Sequence, residues 1–174
     1  MKLFSVLVTF SILIILSACA NKTFKDQFEE EKTWTERATQ LPPYPDMNNL
    51  LEFDATGQAV TGNQYLIDPA SISVGEDGVI RFSLIIKSSS GALNVSYEGI
   101  RCETTERKLY ALGRNDKTWA EPRVSEWEKL INVRQLYAQR ELARNIFCPN
   151  RQIVRNKEDA IQALKTGYHP SMPR

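Results

Sequence analysis

The chain is 174 residues long and carries 22 Lys and Arg against 21 Asp and Glu, a formal net charge of +1. That balance excludes a general nucleic-acid binder, which needs a one-sided basic excess. A single histidine and three cysteines argue against a zinc centre or a His-based nucleophile, and the length suits one domain with a real core plus a linker.

The chain opens with Lys2, an apolar run from Leu3 to Leu16, and the small residues Ser17 and Ala18. Positive start, apolar stretch and small-residue cleavage site are the build of a secretory signal. A transmembrane helix and an ordinary cleaved signal that leaves a free Cys19 are the competing readings. The run is shorter than the ~20 residues a spanning helix needs, and Ser5, Thr9 and Ser11 interrupt it. Leu16-Ser17-Ala18-Cys19 resembles the lipobox of bacterial lipoproteins. The resemblance implies cleavage before Cys19, lipidation of Cys19 and anchorage in a lipid bilayer, with residues 1–18 as the signal peptide. Three acyl chains hold such an anchor firmly, each buried CH₂ contributing about 0.8 kcal/mol. Ala20 stands where an Asp would resemble the inner-membrane retention signal, which points to an outer-membrane lipoprotein facing the periplasm or the surface. Cleavage takes Lys2 away and leaves the charges balanced at 21 each.

Residues 19–45 read as a tether and Pro-rich spacer. Leu41-Pro42-Pro43-Tyr44-Pro45 is extended, because proline fixes φ and pushes the preceding residue out of the helical region. It serves either as a stiff spacer or as a docking strip.

Residues 46–174 read as the globular domain. Strands begin near Leu50. Asn63–Val74 is a strand with a break at Asp68-Pro69, and Gly75-Glu76-Asp77-Gly78 is a hairpin turn. Val79–Lys87 alternates, with Ile80, Phe82, Leu84 and Ile86 on one face and Arg81, Ser83 and Lys87 on the other. Ser88–Gly91 turns the chain into a strand over Ala92–Glu103, whose period is flawed. Leu93, Val95 and Tyr97 share one parity, Ile100 and Cys102 the other, and a bulge at Glu98-Gly99 would restore a single buried face. A short strand over Arg107–Leu112 completes an antiparallel meander, and Gly113–Glu121 is a loop holding Trp119.

Ser125–Phe147 reads as one long helix, with Val133, Leu136, Tyr137, Ala143 and Phe147 on one stripe and room for a break near Asn132. Cys148-Pro149 ends it. A short helix follows, with Asn156 as cap, Glu158 and Asp159 in the first turn and Gly167 as terminator. The fold class is α+β: an antiparallel sheet covered by one long and one short C-terminal helix. Secretion places Cys102 and Cys148 in an oxidising compartment, where a pair is usually a disulfide; two buried free thiols are the alternative.

Chemistry is sparse. His169 lies in the tail, no glycine loop for phosphate appears, and Asp77-Gly78 lacks the acidic spacing of a calcium loop. Neither a cofactor nor a metal is expected. Among the carboxylates, Glu98 stands out at the proposed bulge, either ion-paired with Arg101 or aimed at a site. Trp34, Trp119 and Trp127 are either satellite core or a binding surface.

With these residues in view, the chain resembles the CNP1-like family of proteobacterial envelope proteins. The likeness runs through Glu29-Glu30-Glu31-Lys32-Thr33-Trp34, Leu41–Pro45 and Ile67-Asp68-Pro69-Ala70-Ser71. It is densest from Ser88 to Cys102, continues in Tyr110-Ala111-Leu112-Gly113-Arg114 and Trp119, and ends in Cys148-Pro149 and Gly167-Tyr168-His169-Pro170. It implies an exported protein and carries no catalytic residue onto this chain. The reading that follows is an anchored envelope lipoprotein with a non-catalytic role, either structural or binding an envelope protein or cell-wall component. The alternative is a carboxylate-dependent hydrolase of cell-wall or lipid substrates, centred on Glu98.

Overall fold

The computed structural model describes residues 33–55, 62–132 and 135–172. The signal segment and Cys19 lie outside the described residues. The chain divides into two units, Met1–Trp34 and Thr35–Arg174.

Among the described residues the second unit is built on one antiparallel sheet of seven strands. They are β1 (Leu51–Phe53), β2 (Gln64–Val74), β3 (Val79–Lys87), β4 (Leu93–Arg101), β5 (Glu106–Gly113), β6 (Trp119–Ala120) and β7 (Glu128–Lys129). The first six follow one another in chain order, and β7 also pairs with β5. The Asp-Gly turn closes β2 on β3 through Gly78 N–H to the Gly75 carbonyl, at 3.1 Å. The Asp68-Pro69 break is a bulge inside β2: Asp68 pairs with Ser83, and pairing resumes only at Ser73 with Arg81. Proline has no N–H to give the ladder. Ser71 Oγ compensates by accepting from Ser83 N–H at 2.7 Å while donating to the Asp68 carbonyl at 2.7 Å.

The irregular period of β4 has a different cause from the one its sequence suggests. Its pairing with β3 is unbroken from Val79↔Arg101 to Lys87↔Leu93. The bulge lies opposite, in β5, where Tyr97 pairs with Ala111 and Glu98 with Leu109, leaving Tyr110 extra. β4 needs no correction of parity because both sheet faces are covered, so either parity can be apolar. Every residue from Val79 to Ile85 is buried.

On one face Ile80, Phe82, Leu84 and Ile100 meet Leu142, Ile146 and Phe147 in the main core; the Phe82 and Phe147 ring centroids lie 5.5 Å apart. The helix on this face is shorter than Ser125–Phe147. It comprises α1 (Tyr137–Glu141) and one π turn, Leu142–Ile146. Upstream, Ser125 Oγ donates to the Leu109 carbonyl at 2.7 Å, β7 pairs with β5, and Leu130–Asn132 forms one 3₁₀ turn. The edge of β5 gives Glu128 a specific partner, Arg107 Nη1 at 2.6 Å, which outweighs weak helical propensity at an exposed turn. The second helix, α2 (Lys157–Thr166), packs on β1 and β2. Asn156 Oδ1 accepts from Asp159 N–H at 2.8 Å, and Gly167 closes the helix at φ 75°.

The disulfide joins Cys102, just past β4, to Cys148, just past the π turn, with Cα atoms 5.1 Å apart. Among the described residues no helix is long and apolar enough to cross a membrane.

Candidate functional site

Glu98 sits on the core face, opposite Phe82 in the β3–β4 register, and is 2 % exposed. Its partner is Arg107 rather than Arg101. Arg107 Nε donates to Oε2 at 2.9 Å and Nη2 donates to Oε1 at 3.1 Å. Arg107 pairs with Ile100, two residues from Glu98 on the same face, whereas Arg101 has the opposite parity and reaches Glu103 at 2.9 Å. Gln139 on α1 donates to both carboxylate oxygens at 3.0 and 3.2 Å, and Ser96 Oγ donates at 2.6 Å. These five bonds fill the acceptor capacity of a carboxylate. Burial pulls the Arg107 guanidinium down, but the hydrogen bonds and charges of Glu98 and Glu128 hold it above its ordinary value. Such an ion pair clamps α1 to the sheet and leaves no free lone pair for a proton transfer.

The opposite face carries Trp119 and Trp127. The strip Thr35–Pro45, placed by sequence in the spacer, belongs to the same compact unit as the sheet. It lies along the strands from the β2–β3 turn to the far end of β5. At one end Arg37 N–H donates to Asp77 Oδ2 at 2.9 Å, and Asp77 accepts from Arg81 Nη2 at 2.6 Å. Glu36 is the hub: it accepts from Lys108 Nζ and Tyr110 OH, each at 2.7 Å, and from Trp127 Nε1 at 3.2 Å. At the other end Trp119 Nε1 donates to the Pro42 carbonyl at 2.8 Å and Tyr44 OH donates to the Arg114 carbonyl at 3.2 Å. The Tyr44 and Trp119 rings stand 5.3 Å apart.

Tyr97 and Tyr110 floor this surface, with centroids 5.7 Å apart. Tyr110, the extra residue of the β5 bulge, covers Gly99, where a Cβ would come within 2.8 Å of its ring, so a larger residue there would displace it. Lys108 Nζ and the Arg81 guanidinium lie 5.5 and 5.6 Å from the Tyr110 centroid, within cation–π range. Along residues 37–40 an open cleft of ≈ 340 Å³ is lined by Arg37, Thr39, Gln40, Ser73, Arg81 and Tyr97.

The electrostatics favour a docked strip. Burial raises the Glu36 carboxyl, but hydrogen bonds from Lys108, Tyr110 and Trp127 outweigh it and hold the group below the ordinary value of 4.5. Asp77 is likewise raised by burial and lowered further by Arg81, to below 3.8. Burial, then the Glu36 bond, raises the Tyr110 phenol. Carboxylates depressed in the folded state stabilise above their unfolded values, and that contribution is lost as pH falls through the folded ones. Acidification should therefore loosen the strip from about pH 4.5 downward, progressively as pH drops below 3.8. Tryptophan emission should report it before far-UV circular dichroism does; coincident transitions would show the strip to be inseparable from the sheet.

The structure thus brings Trp119 and Trp127 to one face and places Glu98 on the other. Arg101 stands at the end of β4, and half-buried Trp34 belongs to the other unit, Met1–Trp34. Sequence reasoning missed Glu36, Arg81, Lys108, Tyr110, Arg107 and Gln139. Gln139 carried a usable signal, a polar residue beside an apolar stripe. Glu36 carried none, being one acid in a polar stretch.

A protein called Cryptic neisserial protein 1, from Neisseria gonorrhoeae (strain ATCC 700825 / FA 1090), is 28 % identical over 171 residues, covering 87 % of this chain and 84 % of that protein. No solved structure matches the chain. The CNP1-like family's own sequence model matches residues 29–165, a span that opens ahead of the strip and closes within α2. The docked strip, the meander and the disulfide all fall inside that match, and the chain belongs to the CNP1-like family.

Proposed function

We propose that this chain is an envelope lipoprotein, held in a bilayer through acylated Cys19 and sorted to the outer membrane, whose folded domain has a non-catalytic binding or structural role. The anchor rests on Leu16-Ser17-Ala18-Cys19 and Ala20. The observation that carries the non-catalytic reading is the saturation of Glu98. The carboxylate on which a hydrolase would centre is spent on Arg107, Gln139 and Ser96. The sheet face under the strip supplies what a binding module needs instead: clustered aromatic rings with fixed polar groups among them.

Fatty-acid labelling tests the anchor. Cys19→Ser should abolish incorporation of labelled palmitate and leave unprocessed or mislocalised precursor. Normal labelling and membrane recovery of that variant would refute lipidation at Cys19.

A further inference from the structure

We propose that the aromatic sheet face is a recognition groove for a proline-rich segment, filled at rest by the chain's own Thr35–Pro45, and that such a segment of another envelope chain takes the strip's place. The proposal rests on the binding reading above and names the partner's chemistry.

The docked strip defines that chemistry. An extended proline segment has no internal hydrogen bonds, so its carbonyls await a donor, and its low entropy favours docking on aromatic grooves. Trp119 supplies the donor for Pro42 and the ring for Tyr44. Lys108, Tyr110 and Trp127 read the acid at Glu36. The recognised pattern is an acidic residue, five intervening residues, then Pro-Pro-Tyr-Pro.

The strip is also attached as a ligand would be. Among the described residues none of its backbone groups pairs with a strand backbone group; side chains make the bonds on at least one side. It can leave without opening the ladder. The open cleft of ≈ 340 Å³ along residues 37–40 gives an incoming segment access to Arg81 and Tyr97. Beyond Pro45 the chain turns through exposed Asp46–Asn49, held by local bonds from Asn48 N–H to Asp46 Oδ1 at 3.0 Å and from Asn49 N–H to the Asp46 carbonyl at 3.1 Å. This turn can act as the hinge. A tethered strip competes at an effective concentration on the order of millimolar, so the closed chain masks its own groove.

The test uses a fluorescent peptide with the sequence of residues 35–45 and the full chain in detergent. A chain loosened by Glu36→Gln with Tyr44→Ala should bind the peptide at least tenfold more tightly than the wild type. Trp119→Phe in that background, or alanine in place of the peptide's prolines, should remove the gain. Equal binding by wild type and loosened chain, or indifference to Trp119→Phe, overturns the proposal. Should the loosened chain fail to fold, a protease site inserted between Met47 and Asn48 gives a second route. After cutting, the strip fragment should exchange for labelled peptide; a fragment that stays bound against excess peptide overturns the proposal. Dimers of the loosened chain that Trp119→Phe abolishes would assign the groove to a second copy and overturn the commitment to a foreign chain. None of these readouts depends on palmitate labelling at Cys19, so the anchor and the groove fail separately.

Discussion

Glu98→Ala is expected to destabilise the domain by about 3–5 kcal/mol, the range for removing one partner of a buried ion pair. The loss has three physical parts. Arg107, whose side chain is 13 % exposed, keeps only Glu128, which is 45 % exposed. Gln139, buried at 3 %, loses the acceptor for its amide. A cavity opens beside Phe82, opposite Glu98 in the ladder. Glu98→Gln should cost less, because the amide keeps the shape and one acceptor. A Glu98→Leu, Arg107→Met double variant should recover much of the loss, since well-packed apolar replacements of a buried pair are often neutral. Urea melts of the wild type, Glu98→Leu, Arg107→Met and the double variant give the coupling directly. An alanine variant within about 0.5 kcal/mol of wild type, the usual spread of surface changes, would show that the clamp contributes nothing. A Glu98→Gln chain that melts with the wild type yet loses a wall-hydrolysis activity measured for the wild type would return this carboxylate to catalysis.

Removing the disulfide is the second large effect. Cys102→Ala with Cys148→Ala should cost about 4 kcal/mol on the chain-entropy account of a loop spanning 46 residues. Both cysteines are buried, at 2 % and 4 %, and the bridge fixes the residue next to Phe147, the ring that packs on Phe82. The π turn should therefore lose protection from hydrogen exchange before the β3–β4 ladder does. Peptide mapping without reductant should recover the Cys102–Cys148 link from exported protein. Free thiols at both positions would contradict the pairing.

The parts of the fold visible in the sequence are those encoded locally. Hairpin turns at Gly75–Gly78 and Ser88–Gly91 need only a few adjacent residues, and so does the Asn156-to-Gly167 punctuation of α2. The cysteine pair was legible because an oxidising compartment and two cysteines left after Cys19 leave few options. What the sequence hid was non-local. A strand alternating Ile80, Arg81, Phe82, Ser83 reads as half-exposed, yet Arg81 and Ser83 are buried at 5 % and 0 %. They lie on the second face, lidded by a strip about forty residues earlier in the chain, and no periodicity records that lid. Arg107 and Glu98 are joined across the β4–β5 hairpin, Arg107 pairing with Ile100 on the same face as Glu98, and that cross-strand placement is written in neither strand's own periodicity. The long-helix expectation failed where the edge of β5 offered Glu128 a better partner than a helix could.

On the proposed anchor and exchange, the docked strip would also set how far the domain can stray. With Cys19 held in a bilayer as proposed, and the strip seated, about 16 residues separate the anchor from the sheet. Fully extended they reach roughly 55 Å at about 3.5 Å per residue. With the strip released, about 27 residues are paid out to Asp46, and the limit becomes roughly 95 Å. The volume the domain can sweep grows about fivefold with the cube of that radius, and its local concentration near any fixed neighbour falls in proportion. On the proposed anchor and exchange, one short docking event would govern the working radius of the molecule.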